Sequence, residues 1–425
     1  MRADREHVVL FDRTGFRHFR HPDGAPFLPP DRFRVTVLTA PDSAPPPAGA
    51  ADAVIALPDS DDTEAAASAL LGQPPVDRVA AVSEPLLLPA ARLRDRLGVP
   101  GFRAAQVVVL RDKLAMKRHF AARGIKVPEY RVVRRPLEAA GLLAAHGTIV
   151  VKPPSGTGRA GVVVVSSRAE LAELEEAGYG QGPGFGADGF LAEAYVHGDE
   201  FHIDSVVSAG RAVTTTVSRY LDPHFGLQLG GRLGAATLDP GPRRDLLREF
   251  NDQVLAAIGW FSGVTHLEAW LPHGGEPVLC EIAGRAGGAG IIPGFWYRYA
   301  ASLHLHALLP QLGLPHPALR ETAMPAGPAT GWAIIYPPAA GTVISCDTDL
   351  NEPWLTDLTW LVRPGDQVTE PTRSTRQGIA VVSVAGPGKS AIAARLARAH
   401  RHVTVTVAPA PAARAGREVS HQHHL

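Results

Sequence analysis

The segment THLEAWLPHGGEPVLCEIA, residues 265–283, is the most informative part of the sequence. Two apolar strand-forming runs, 265–271 and 278–283, flank a loop of turn-forming residues, so the segment predicts a β-hairpin. In this hairpin Glu268 lies directly opposite Glu281. Directly opposed side chains have Cβ atoms about 4.5–5.5 Å apart, and like charges at that distance destabilise a sheet. Because one or two carboxylates commonly hold a magnesium ion, which relieves such repulsion, the hairpin predicts a metal site.

The register of the hairpin follows from the residues next to its turn. The predicted pairs are Leu271 with Val278, Trp270 with Leu279, Ala269 with Cys280, Glu268 with Glu281, Leu267 with Ile282, and His266 with Ala283. Two alternatives stay open, namely glutamates on a solvated sheet face and a slipped register that separates the carboxylates. Arg285, Gly287 and Gly288 follow at once, which places a cation and a flexible backbone beside the predicted metal.

A second hairpin is predicted at TIVVKPPSGTGRAGVVVVSS, residues 148–167. Its Gly156, Gly158 and Gly161 have the GxGxxG spacing of a dinucleotide-binding loop, but that loop needs a helix after the glycines. Here a β-branched run follows, which indicates a strand. The segment therefore predicts a glycine-tipped hairpin that covers phosphates with backbone N–H groups, with Lys152 as a point charge. A flexible turn with a solvated lysine is the alternative.

The composition of the chain narrows the classes of function. Its 425 residues predict two to four domains. Lys plus Arg and Asp plus Glu both total 42, so no net charge favours nucleic acid or an anionic membrane as a partner. The two cysteines, Cys280 and Cys346, form no CxxC pair, which argues against a disulfide framework and fits the cytoplasm. No signal-peptide pattern and no apolar run of about 18 residues is present, so no membrane span is expected.

Strands and helices alternate at the start of the chain. Segments that permit helices, at 62–71 and 86–97, lie among strand-like runs at 7–11, 33–38, 51–57 and 78–82. This alternation predicts a parallel sheet covered on both faces. The sequence also predicts helices at 112–123, 240–258 and 389–400 and strands at 331–336 and 378–384. The P-loop-like AGPGKS (385–390) lacks the first glycine of that motif, so a strand-turn-helix connection is expected there.

Four motifs occur in order between residues 111 and 300. They are RDKLAMKRHFAARGIKVPEY (111–130), IVVKP with its glycine loop (149–161), FLAEAYVHGDEFHID (190–204) and the two-glutamate hairpin. The third motif resembles a hinge written E-x-Y-[IVL]-x-G-x-E. Taken together, the motifs resemble the ATP-grasp superfamily, and most closely its branch of amino-acid ligases and D-alanine–D-alanine ligases. Biotin carboxylase has a similar fold.

The resemblance implies a site for ATP and Mg²⁺, with Mn²⁺ as a substitute ion. The implied ATP contacts are Lys113, Lys152, Ser155, Gly156, Gly158, Gly161, Glu193, Ala194, Val196 and Glu200. Among them, Glu200 would bind the ribose hydroxyls, while Glu193, Ala194 and Val196 would border the adenine. The implied metal ligands are Glu268 and Glu281, the catalytic residues are Arg285, Lys152 and His266, and the substrate contacts are Arg285, Gly287 and Gly288.

Two features of this implied site stay open. Ala283 replaces the asparagine that many members use as a third metal ligand, so the number of metal ions is not fixed. His266 could act as the base for an amine, contact phosphate or be structural.

The function implied by the resemblance is an ATP-dependent carboxylate–amine ligase. It would form an amide or peptide bond on amino-acid-like substrates through an acyl-phosphate, releasing ADP and phosphate. The alternatives are an ATP-grasp carboxylase or another carboxylate kinase, and a nucleotide-binding regulator without turnover. The implied partners are a small-molecule carboxylate and an amine, and a homodimer is compatible with the family. The loops at 219–237 and 286–298 carry no readable code for the substrates.

The resemblance also implies a division of the chain. The expected parts are an N-terminal parallel α/β domain (1–110), an ATP-grasp domain (111–330) with a lid subdomain at about 118–195, a C-terminal α/β subdomain (331–412) and a polar tail (413–425).

Overall fold

The N-terminal part of the chain forms a parallel α/β unit. The computed structural model describes residues 5–156, 161–181, 185, 189–222, 233–369 and 377–409. Its first elements are β1 (Glu6–Phe11), β2 (Phe33–Thr39), β3 (Ala53–Ala56), α1 (Thr63–Ala69), β4 (Arg78–Ala81), α2 (Glu84–Leu97) and α3 (Ala104–Val107). The strands lie in the order β3-β2-β1-β4, and each neighbouring pair is parallel. The predicted parallel sheet is confirmed.

A small antiparallel sheet follows. Its segment comprises α4 (Lys113–Ala121), β5 (Tyr130–Val133), α5 (Ala140–His146), β6 (Ile149–Lys152), β7 (Val163–Val165), α6 (Arg168–Glu176) and β8 (Phe190–Ala194). The strand order is β5-β8-β6-β7. Strands β6 and β7 are antiparallel and pair Ile149 with Val165, so the predicted pairing of these two strands is confirmed. The predicted site residue Gly158 lies outside the described residues.

A large antiparallel sheet carries most of the remaining strands. The elements up to residue 308 are β9 (Asp199–Ser208), β10 (Arg211–Tyr220), β11 (Gly234–Thr237), α7 (Pro242–Ile258), β12 (Gly263–Leu271), β13 (Val278–Ala283), α8 (Ile291–Tyr299) and α9 (Leu303–Leu308). Those after it are β14 (Ala329–Ile335), β15 (Gly341–Thr348), β16 (Leu355–Trp360), β17 (Gln367–Val368), β18 (Ala380–Gly386), α10 (Lys389–His402) and β19 (Val403–Ala408). The sheet order is β13-β12-β9-β10-β11-β14-β18-β16, and β17, β15 and β19 form a separate sheet.

The large sheet joins strands from both sides of residue 330. Strand β14, in which the expected domain boundary at 330/331 falls, pairs with β11 on one side and β18 on the other. The division of the chain into domains therefore stays a prediction. The expected strand-turn-helix connection at 385–390 is confirmed, and the backbone N–H of Lys389 donates to Asp239 at 3.5 Å.

Apolar and polar side chains alternate along β9 and β12, so this part of the sheet has one packed apolar face and one polar face. Phe201, Ile203 and Leu267 are fully buried in a cluster with α7 residues such as Phe250 and Val254. Side chains point alternately to opposite faces of a strand, so residues 200, 202, 204, 266 and 268 lie together on the other face. That polar face is the floor of the candidate site. None of the helices in the described part of the chain is long and apolar enough to cross a membrane.

Candidate active site

The two-glutamate hairpin forms as β12 and β13, with a β-bulge near its middle. The predicted pairs of Glu268 with Glu281, Leu267 with Ile282 and His266 with Ala283 are confirmed. The predicted pairs nearer the turn are wrong. Ala269 pairs with Leu279 and Trp270 with Val278, which leaves Cys280 as the extra residue.

The bulge affects the two glutamates, Glu268 and Glu281, that the sequence predicts as metal ligands. Leu279 and Ile282 are both fully buried in the apolar cluster under the sheet, while Cys280 and Glu281 between them both line the cleft. A bulge inserts one residue into a strand and can re-aim a side chain beside an active site. The bulge therefore allows Leu279 to stay in the core while Glu281 remains opposite Glu268.

Lys113 lies beside this carboxylate pair. It is the first residue of α4, whose N-cap Asp112 accepts a hydrogen bond from the backbone N–H of Ala115 at 2.8 Å. The Lys113 Nζ lies 3.1 Å from Glu281 Oε2 and donates to the carbonyl oxygen of Gly156 at 3.2 Å. Burial acts to raise the pKa of Glu281, but the nearby Lys113 and Lys152 outweigh it and hold this pKa below its usual value. Glu281 is therefore an ionised ligand candidate.

Lys152 is buried at the end of β6 and forms an ion pair with Glu193 of β8. Its Nζ lies 2.8 Å from Glu193 Oε2, and Lys117 Nζ lies 3.6 Å from the other carboxylate oxygen. Burial would lower the pKa of Lys152, yet the Glu193 carboxylate raises it above its usual value. Burial likewise acts to raise the pKa of Glu193, but the two lysines hold it low. The three charges join the small sheet to α4.

Lys117 is a site residue that the sequence analysis missed. Its side chain is fully buried and donates to the carbonyl oxygens of Leu279, at 3.0 Å, and Cys280, at 2.7 Å. It therefore holds the bulge in β13 as well as Glu193. The sequence feature that could have indicated Lys117 is its spacing from Lys113. Residues four apart lie on one face of a helix, and Lys117 follows Lys113 by four.

A buried hydrogen-bonded cluster supports Glu268. Asp204 accepts from His202 Nδ1 at 2.6 Å and from His266 Nδ1 at 2.8 Å. His266 Nε2 lies 3.5 Å from Glu268 Oε1, and the Tyr220 hydroxyl donates to the same oxygen at 2.8 Å. Burial acts to lower the pKa of His266, but Asp204 raises it to about 9.

Gly287 is packed against this cluster. A Cβ atom at residue 287 would lie 2.8 Å from both Asp204 Oδ1 and His266 Nδ1. Contacts below 3.0 Å force a displacement, so only glycine lets this backbone pass over the Asp204–His266 pair.

Arg285 reaches the N-terminal unit. Its Nε donates to Glu84 Oε2 at 2.8 Å, and Arg111 lies 3.4 Å from the other oxygen of Glu84. Glu84 is the first residue of α2 and follows Ala81, the carboxyl end of β4, by three residues. Sequence reasoning missed it, although ligands of parallel α/β sheets bind beyond the carboxyl ends of strands.

These elements surround a cleft of about 640 Å³. Among the predicted site residues, those that line it are Lys113, Lys152, Gly156, Glu193, Ala194, Val196, Glu200, His266, Glu268, Glu281, Arg285, Gly287 and Gly288. Ser155 and Gly161 are not part of the lining. Further lining residues that the sequence did not indicate include Arg13, His18, Glu84, Tyr220, His304 and Trp332.

The fold has known relatives. An L-amino acid ligase from Bacillus licheniformis superimposes with a TM-score of 0.74 at 18% sequence identity, over 95% of this chain and 99% of that one. The chain has the ATP-grasp fold. The resemblance to ATP-grasp enzymes that the motifs indicate is confirmed for the fold, and so is the predicted α/β fold class.

Two curated relatives share sequence with this chain. An L-arginine-specific L-amino acid ligase from Bacillus subtilis is 30% identical over 224 residues, which cover 51% of this chain and 53% of the relative. A D-alanine–D-alanine ligase from Geobacter sulfurreducens is 26% identical over 197 residues, covering 45% of this chain and 60% of the relative. The chain thus matches between half and two thirds of the length of these relatives. No family model matches it.

Proposed function

We propose that this chain is an ATP-dependent carboxylate–amine ligase that forms an amide or peptide bond through an acyl-phosphate. The observation that carries the proposal is the cross-strand pair Glu268 and Glu281 on the floor of the cleft, with Lys113 3.1 Å from Glu281. Two opposed carboxylates flanked by buried cations suit a nucleotide that brings both phosphates and a divalent ion. The two sequence relatives, both ligases, support the same assignment.

The residues present fit one magnesium ion. Glu268 and Glu281 would hold it, since a hard cation prefers carboxylate oxygens and takes its other ligands from phosphates and water. Mn²⁺ would bind the same oxygens. When bound, the ion neutralises charge on the phosphates that Lys113 and Lys152 also contact. Ala283 supplies no ligand atom, so two carboxylates are the ligand set proposed here.

The nucleotide would lie along β8 and the following segment. Glu193, Ala194 and Val196 line the cleft and offer backbone carbonyl and N–H groups to the adenine. Glu200, one of the cleft residues, would accept hydrogen bonds from the ribose hydroxyls. The glycine hairpin between β6 and β7 would cover the phosphates, with Ser155, Gly156 and Gly161 in its loop.

Chemistry would take place beside Arg285. A carboxylate oxygen attacks the γ-phosphorus of ATP, and the bond from that phosphorus to the β,γ-bridging oxygen breaks, giving an acyl-phosphate and ADP. The amine nitrogen then bonds to the acyl carbon while the carbon–oxygen bond to phosphate breaks, and the nitrogen loses a proton. The planar Arg285 guanidinium can hold two phosphoryl oxygens at once, while Gly287 and Gly288 allow a substrate to approach the backbone.

His266 would position a ligand rather than take a proton from the amine. Its Nδ1 lies 2.8 Å from Asp204 and its Nε2 faces Glu268 at 3.5 Å, so both ring nitrogens already have carboxylate neighbours. Its proposed role is to orient Glu268.

The proposed partners are a small-molecule carboxylate and an amine, and a homodimer is the assembly to test by light scattering. Both cysteines are unpaired thiols, which fits a reducing compartment such as the cytoplasm.

The test uses an amino-acid substrate whose carboxylate carries heavy oxygen. First, ADP release is screened over pairs of amino acids, and products are identified by mass. For an active pair, one labelled oxygen should appear in the released phosphate. Label in AMP, with pyrophosphate as co-product, would mean adenylation and overturn the acyl-phosphate. Dependence on bicarbonate would indicate a carboxylase, and ATP binding without ADP release would indicate a regulator.

The role of Arg285 is tested in the same assay. Arg285→Lys keeps the charge but loses the planar fork, so it should lower kcat strongly with the Kd for ATP nearly unchanged. A normal kcat would remove Arg285 from the chemistry.

A further inference from the structure

A second, smaller cavity lies under α8 and adjoins the cleft at Ile291 and Trp332. Its volume is about 40 Å³. The residues around it come mainly from the large sheet and from α8 and include His202, Asp204, Ser218, Gly294, Thr330 and Trp332. Ile291 and Trp332 line both this cavity and the cleft. These two side chains therefore form the boundary between the two spaces.

The floor of the cavity continues the floor of the cleft. On β10, Tyr220 lines the cleft, and Ser218 and Thr216 line the cavity. On β14, Ile334 lines the cleft, Trp332 lines both spaces and Thr330 lines the cavity. Residues two apart share a face of a strand, so one sheet face runs from the cleft into the cavity.

Two buried polar atoms of the lining residues have no hydrogen-bond partner within the described part of the chain. They are Nε2 of His202 and Nε1 of Trp332, whose residues are 2% and 7% exposed. The Asp204 carboxylate can only accept, so the proton of their hydrogen bond lies on His202 Nδ1, and Nε2 on the other side of the ring is left without a partner. The indole N–H of Trp332 is a donor. Buried polar groups without partners are rare, and a ligand group that can both donate and accept would satisfy these two atoms.

The charges around the cavity are already neutralised. Asp204 accepts from both His202 and His266, and its pKa is held well below its usual value because the two imidazoles outweigh the effect of burial. Arg298 Nε donates to Glu321 at 2.8 Å. A charged ligand group would thus enter without a free counter-charge among the described lining residues, at a high cost in desolvation.

We propose that this cavity is the side-chain subsite for one amino-acid substrate, and that it takes a short uncharged polar group, a hydroxyl or a carboxamide. The inference rests on the proposed ligase function, which makes amino acids the substrates. A volume of about 40 Å³ holds roughly three water molecules, comparable to the three heavy atoms of a carboxamide. Serine, threonine and asparagine fit this description, and the group would form hydrogen bonds with His202 and Trp332.

The test fills the cavity without touching the charged groups. In Gly294→Ala the new methyl group would lie 3.3 Å from Thr330 Oγ1 and so occupies the cavity. Alanine is also the better helix former by about 1 kcal/mol, which favours folding of the variant. Gly141→Ala is the matched control, since residue 141 lies in α5 and a Cβ there has nothing within 4 Å. Trp332→Phe is the second variant, which removes the N–H donor and keeps an aromatic ring.

Two measurements are made on the full chain, namely ADP release and calorimetric binding with Mg²⁺ and a non-hydrolysable ATP analogue. The probes are L-serine, L-asparagine, L-alanine and L-glutamate. We expect kcat/KM and affinity for serine and asparagine to fall about tenfold or more in Gly294→Ala and Trp332→Phe, with alanine changed less than about twofold. Gly141→Ala should match the wild type for all four amino acids.

The outcomes separate the subsite from the ligase function. Selective binding of serine or asparagine that Gly294→Ala abolishes, with no ADP release from any pair, would keep the subsite and overturn the ligase. ADP release with the same side-chain preference in the wild type and in both cavity variants would overturn the subsite alone. A preference of the wild type for glutamate or alanine would also overturn it, and neither binding nor turnover would overturn both.

Discussion

Glu84 binds Arg285 across the boundary between the parallel N-terminal sheet and the large antiparallel sheet, with 2.8 Å between Oε2 and Nε. The same guanidinium donates from Nη1 to the carbonyl oxygen of Ala286 at 2.9 Å. Burial would lower the pKa of Arg285, but Glu84 raises it above its usual value. The N-terminal unit thereby fixes the orientation of the cation that we assign to the transferred phosphoryl group.

We therefore expect Glu84→Gln to lower kcat by roughly tenfold to a hundredfold, because small displacements of a positioning contact have effects of that size. The Kd for ATP should change little, since Glu84 is remote from the adenine side of the cleft in this assignment. ADP release and calorimetry measure the two quantities. Glu64→Gln is the control, because Glu64 pairs with Arg96 on the exposed surface at 2.7 Å. Equal kcat values for wild type and Glu84→Gln would show that Arg285 needs no support from this residue.

Glu281→Gln should reduce ATP turnover by about a hundredfold or more, with the fold intact. The change removes a carboxylate charge that faces Glu268 and leaves the volume of the side chain the same. A metal held by two carboxylates then keeps only one, and its catalytic contribution is lost. Turnover is followed by ADP release as Mg²⁺ is titrated, and far-UV circular dichroism confirms the fold.

Glu276→Gln is the matched control for that variant, since Glu276 lies in the exposed turn of the same hairpin, 3.8 Å from Lys126. Near-normal turnover of Glu281→Gln at ordinary Mg²⁺ concentrations would contradict the assignment of Glu281 as a metal ligand.

Lys152→Met should weaken ATP binding by about one to two powers of ten. A charge-assisted contact to phosphate contributes roughly 1.5–3 kcal/mol, and methionine retains most of the buried apolar stem. Lys117 still lies 3.6 Å from Glu193, so the buried carboxylate keeps a cation in the variant. Calorimetry with a non-hydrolysable ATP analogue gives the Kd, with the exposed Lys126→Met as control. An unchanged Kd would count against the β6–β7 hairpin as the phosphate cover.

The sequence predicted the pair of glutamates but not the bulge beside them. Alternation of polar and apolar residues predicts the register of a hairpin only where each residue of one strand pairs with one residue of the other. The extra residue, Cys280, is held by Lys117, which belongs to a helix 162 residues away from Leu279 in the chain. No local pattern near residue 280 carries that long-range contact.

The strands and helices of the fold were predicted better than the residues that position the side chains of the site. Strands β1, β2 and β4 followed from short apolar runs, because burial on both faces of a parallel sheet leaves a continuous local signal. Glu84 and Asp204 act through partners far away in sequence, namely Arg285 and His266. Such pairs become visible only when the chain is folded.

His18 and His304 stack with their ring centroids 4.0 Å apart where the cleft meets the N-terminal unit. Burial, with a contribution from Arg17, lowers the pKa of His18 to about 4 and that of His304 to about 3. Both rings are therefore neutral in the folded protein throughout the range in which an unfolded histidine, with a pKa of about 6.5, takes up a proton. Between pH 6.5 and 4 the unfolded state binds more protons, so stability falls as the pH falls through this window.

For each such histidine, the free energy of unfolding of the protein falls by on the order of 2 kcal/mol between pH 7 and pH 5. His304→Phe keeps the stacked ring and removes one titrating group, so its thermal midpoint should fall less than that of the wild type between these two pH values. His273→Phe is the control, because His273 lies in the exposed β12–β13 turn. Thermal unfolding is measured for the three proteins at pH 7 and pH 5 without nucleotide. If His304→Phe loses as much stability on acidification as the wild type, protonation of this stacked pair does not drive the loss.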